Sequence, residues 1–109
     1  DSTGCFLTSA CVEAKGLPDD CHELTVLRSF RENYLRLLPN GPTEIAQYYF
    51  IAPQIVSAIK QRNDSLSIFN AIYEQLVKPC VGMIERGEND SAHKLYREKV
   101  RQLQLQYLV

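Results

Sequence analysis

The sequence contains no apolar run near the ~18 to 20 residues that a membrane-spanning helix needs, and no charged stretch leading into an apolar segment at its start. No membrane partner is expected. It also lacks an excess of either charge, since twelve Lys and Arg face thirteen Asp and Glu for a net charge of -1. With no global field to draw in a polyanion, nucleic acid is not expected as a partner either. Strand signals are missing, because no stretch alternates cleanly between apolar and polar residues. His22 and His93 are the only histidines, and no catalytic triad, metalloprotease pair, glycine-rich phosphate loop or paired-carboxylate motif accompanies them. No catalytic residue, bound metal or cofactor is implied. Methionine occurs once, at Met83, and the first residue is Asp1. We read such a chain as a domain excised from a longer protein or left by processing.

What is present is enough apolar residue for one core. At 109 residues and 45 % hydrophobic content the chain suits a single domain spanning residues 1–109, without need of metal or crosslink. Its patterning is helical throughout. The stretch FLTSACVEA, closed by Gly16 and Pro18, predicts a short first helix. Asp20 is placed to cap a second helix with Glu23 completing a capping box, and Leu24, Leu27, Phe30 and Tyr34 then share one face until Pro39. A third helix is expected from Thr43, with Pro53 bending or dividing it. A fourth, capped by Asp64 or Ser65, carries Ile68, Phe69, Ile72 and Leu76 inward and is interrupted at Pro79. A fifth runs from Asp90 or Ser91 to about Leu108. The expected fold is all-α: a compact bundle of four main helices plus a short N-terminal helix, with proline kinks near Pro53 and Pro79.

Few residues suggest chemistry. Arg28 and Arg31 stand three apart on the second helix, where their forked donors could clamp a carboxylate or phosphate, although arginines flanking a core Phe more commonly pair with nearby acids. Tyr48 and Tyr49, followed by Phe50, could stack on a ligand, yet consecutive helical residues point in different directions and some of these belong in the core. The basic run of Lys94, Arg97, Lys99 and Arg101 could meet an acidic partner or simply face water. Three of the four cysteines, Cys5, Cys11 and Cys21, lie in the first fifth of the chain, spaced by six and ten residues rather than the short intervals of zinc pairs. A turn through Gly16, Leu17 and Pro18 would let Cys11 approach Cys21, making a bridge conceivable, and Asp20 as cap would place Cys21 in a first helical turn that favours a thiolate. Buried, unconnected thiols are the plain alternative, above all for Cys80 beside Pro79.

Taken with their spacing, Cys5, Phe6 and Leu7, then Thr8 and Ala10, then Leu27, Arg28, Phe30, Arg31, Tyr34 and Leu35, and finally Tyr48, Tyr49 and Pro53, resemble the pattern of bacterial domains containing the CFI box. The likeness covers about the first sixty residues, and YEQLVKPCVGMIERG is similar to the tail of a subset of those domains. It implies a helical accessory domain. Gly41-Pro42 stands where that pattern often has Gly-Arg. The function expected is therefore a protein-interaction or structural module, with a protein partner or homo-oligomer. A thiol, disulfide or metal-binding site in the N-terminal segment is the alternative.

Overall fold

Two of the helices end at glycines with positive φ. The computed structural model describes residues 6–18 and 20–108, and among these no strand occurs. Helix α1 (Phe6–Ala14) stops at Gly16, whose φ of +77° only glycine adopts without strain. There the Gly16 N–H bonds the Glu13 carbonyl and the Leu17 N–H bonds that of Val12, both at 2.9 Å, so the last turn's open acceptors are satisfied. The same pair of bonds closes the helix that ends at Glu85, around Gly87.

Helix α2 (His22–Asn33) starts one residue later than its acidic cap predicts. Cys21 holds the N-cap position in extended conformation, and no side chain caps it. Glu23 does not close a capping box, because its carboxylate accepts a 2.6 Å bond from the Tyr73 hydroxyl on another helical run. Nor does α2 reach Pro39. It ends at Tyr34 and tightens into a 3-10 turn, Leu35–Leu37. Helix α3 (Gly41–Lys60) follows, beginning before Thr43. Gly41 backs onto that turn so closely that a Cβ there would lie 1.9 Å from the Leu35 carbonyl oxygen.

Pro53 lies inside α3, which continues through it, so the division into two short helices does not occur. Pro79 likewise leaves its helical run unbroken. Helix α4 (Ser65–Ile72) widens into a π turn, Tyr73–Val77, and resumes as α5 (Lys78–Glu85) with Pro79 in its first turn. A regular helix would drive the proline ring into the carbonyl of Gln75, and the wider turn falls where that clash would arise. Helix α6 (Asn89–Tyr107) completes the chain. Counting α4, the π turn and α5 as one run, the fold is the expected all-α bundle: four main helical runs, α2, α3, α4 to α5, and α6, led by the short α1.

The core joins every run. Leu7, Cys11 and Val12 of α1 meet Leu24 and Leu27 of α2, Ile55 and Ile59 of α3, Phe69 through Val81 of the α4 to α5 run, and Val100 and Leu103 of α6. Of the inward positions expected in α2 and α4, Leu24, Leu27, Phe69, Ile72 and Leu76 are buried. Phe30, Tyr34 and Ile68 are only partly so. The reason in α2 is its early end: the change to a 3-10 turn puts Leu35 inward at the position expected of Tyr34. Phe30 and Tyr34 stack on each other instead, with ring centroids 5.2 Å apart.

Candidate functional site

Three consecutive aromatic residues on α3 occupy three environments, as the ~100° step between helical neighbours requires. Tyr48 is half-buried against α6, its ring edge-on to Tyr96 at 5.2 Å. Its hydroxyl donates to Glu44 Oε2 at 2.6 Å, and His93 Nε2 of α6 lies 2.5 Å from the same oxygen. One carboxylate oxygen thus ties two helices together. Burial, then the neighbouring Glu44 carboxylate, pushes the Tyr48 hydroxyl far above the ordinary range, so it stays a donor.

Tyr48 lines a small, largely apolar cavity of about 40 Å³, room for a water or two. Arg31, Tyr48 and Tyr49 all line it, together with Phe30, Leu35 and Cys80. Arg28 is not in its wall, so the two arginines do not form one clamp over it. Arg31 bonds Glu32 at 2.8 Å, and Arg36 holds the same carboxylate at 3.0 and 3.1 Å. Those two cations hold the Glu32 carboxyl below its usual value.

Tyr48 also lines a larger groove of about 590 Å³ between α3 and α6. Ala46, Phe50 and Ile51 from α3 and Val100 from α6 give it apolar walls, with Arg97 and Gln104 along the α6 edge. Phe50 is 71 % exposed there, with an aromatic ring largely in solvent. Of the three aromatics that could stack on a ligand, Phe50 is the one left exposed. Glu44 and His93 were not singled out as partners, because they are 49 residues apart and only the packing of α6 on α3 joins them.

The cysteines form no bridge among the described residues. Cys5 lies outside the described residues. Cys11, Cys21 and Cys80 are buried and free. Burial pushes the Cys11 and Cys80 thiols up to about 12, and the Cys80 thiol points at the Ala92 carbonyl at 3.6 Å. At neutral pH both are protonated, the unreactive form. Cys21 sits at the N-cap rather than in the first turn, beside a carboxylate. The Tyr73 hydroxyl, foremost, and the Cys21 thiol, more weakly, hold the Glu23 carboxyl below its usual range by hydrogen bonding. Among the described residues no group of His, Cys, Asp and Glu is arranged to hold a metal ion, and no helix is long and apolar enough to cross a membrane. In the comparisons with known proteins, no family model, curated protein or solved structure matches this chain.

Proposed function

We propose that this domain is a protein-interaction module that receives a helix of its partner in the groove between α3 and α6. The observation that carries this reading is Phe50, a large aromatic side chain held 71 % exposed on an apolar groove wall. Covering such a ring on association contributes roughly 1.5 to 3 kcal/mol, enough for a binding hot spot. Its surroundings support the same reading. Tyr48, at the groove wall, is already held by Glu44 and Tyr96, so little side-chain freedom remains to be lost there on binding. An amphipathic helix laid in such a groove presents apolar residues three and four apart. The likeness to CFI-box domains is consistent with an accessory role of this kind.

Selection of helical peptides from a phage-displayed amphipathic library tests the reading. Selected peptides should shift the amide resonances of Ala46, Phe50, Ile51 and Val100 in the wild-type domain. They should bind Phe50→Ala at least tenfold more weakly. Failure to select any peptide, shifts confined to another face, or equal affinity for Phe50→Ala would refute it. Phe50 contributes little to the core, so the variant should remain folded.

A further inference from the structure

The charges of α6 indicate what sort of helix the groove accepts, an inference that rests on the groove being the binding site. Most basic side chains of this protein are engaged. Lys15 and Lys78 meet Glu74, Arg31 and Arg36 share Glu32, Arg62 meets Asp64 and Arg86 meets Glu88. Lys99 is bonded to Gln75 and Gln102, and Arg28 also has a partner. Among the described residues this leaves Lys60, Lys94, Arg97 and Arg101 with neither ion pair nor hydrogen bond. The last three are not scattered. They fall at positions i, i+3 and i+7 of α6, which puts them on one stripe about 10 Å long, and all three are exposed. Arg97, the middle one, is itself part of the groove wall.

The acids that could neutralise this stripe are mostly committed elsewhere. Glu44 is held by Tyr48 and His93, and Asp90 accepts from the Tyr34 hydroxyl. Glu98 is the one acidic neighbour left on α6, against three cations. The groove thus has apolar walls and one edge of uncompensated positive charge, in a chain whose net charge is -1. We infer that its occupant is an acidic amphipathic helix, with apolar residues against Phe50, Ile51 and Val100 and carboxylates spaced to meet Lys94, Arg97 and Arg101. Charge alone would equally suit a nucleic acid. The apolar walls and exposed ring favour a peptide helix, whose apolar face they would cover. Each exposed ion pair contributes a factor of about two to five, so three together predict roughly tenfold discrimination or more, weakened by salt.

Three probes decide the matter: a synthetic helix of about 18 residues with a leucine stripe edged by Glu, its twin with Lys in place of every Glu, and oligouridylate. Each is titrated by fluorescence anisotropy at low and high salt against three proteins. These are the wild type, Phe50→Ala, and the triple variant Lys94→Glu/Arg97→Glu/Arg101→Glu, whose folding is checked by circular dichroism. The wild type should prefer the Glu helix by about tenfold at low salt, and the triple variant should reverse that preference. Phe50→Ala should weaken both peptides and leave their ratio unchanged. If the wild type binds both peptides alike while Phe50→Ala still weakens both, the acidic partner is refuted and the groove stands. If Phe50→Ala changes nothing, if neither peptide binds, or if oligouridylate binds tightest, both are refuted.

Discussion

Replacing Gly41 with Ala puts a methyl carbon 1.9 Å from the Leu35 carbonyl oxygen and 2.9 Å from its carbonyl carbon. Ordinary contact there needs more than 3 Å, so α3 and the 3-10 turn must separate by over 1 Å. Both obstacles are backbone, which cannot step aside as a side-chain tip can. Forcing extra volume into packed structure costs about 1 to 3 kcal/mol. Against this stands the ordinary benefit of Ala over Gly in a helix, at most ~1 kcal/mol and smaller at a first helical position. The net expectation is destabilisation of about 0.5 to 2.5 kcal/mol. The comparison that isolates the cause is Gly82→Ala in α5, where the nearest atom to a new Cβ is the end of the Arg86 side chain at 3.2 Å. There the guanidinium can move, and the same substitution should stabilise by up to ~1 kcal/mol. Urea unfolding followed at the helical circular dichroism band measures both. Opposite signs are expected. A Gly41→Ala variant as stable as the wild type would show that α3 does not sit so tightly on the turn.

Leu24 is fully buried, so Leu24→Ala should cost about 2 to 5 kcal/mol, whereas Phe30→Ala, at a partly buried ring, should cost less than Leu24→Ala in the same urea series. Cys11 and Cys80 should resist alkylation at neutral pH in the native state and react fully in denaturant, as intact-mass labelling would show, and rapid native labelling of either would contradict their burial. The Glu23 carboxyl has a folded-state pKa below its ordinary 4.5, chiefly through Tyr73, so its contribution is complete above that value and is lost as pH falls through the lowered one. Tyr73→Phe should therefore flatten the acid limb of the stability profile, and identical profiles from pH ~2 to 6 would show the bond is not made.

Helical class and much of the core could be read directly from the spacing of Leu24, Leu27, Phe69, Ile72 and Leu76, because burial along a helix repeats with its own geometry. The cap at Asp20 could not, since Glu23 has a stronger claim on it from Tyr73, 50 residues away. The early end of α2 was also hidden. It depends on Gly41 backing onto Leu35, a close approach that propensities do not register. In the candidate site, Arg31, Tyr48 and Tyr49 were picked out and do line one cavity. Which ring of Tyr48, Tyr49 and Phe50 faces solvent, and the Glu44 to His93 link, are not legible in the sequence, because facing directions and long-range pairings belong to packing rather than to local pattern.

The π turn at Tyr73–Val77 makes the length of this chain part of its design. Such a turn carries one more residue than the α-helical path between the same two ends. A homologue lacking one residue between Ile72 and Lys78 could close the gap as plain α-helix with α4 and α5 related as they are now, but the ring of Pro79 would then meet the carbonyl four residues before it. Cys80 and Val81 would stay turned to the interior, and α6 would keep its packing on α5. A single-residue deletion in this span should therefore be tolerated best when Pro79 is replaced as well, and related sequences one residue shorter between Ile72 and Cys80 should lack a proline at the Pro79 position.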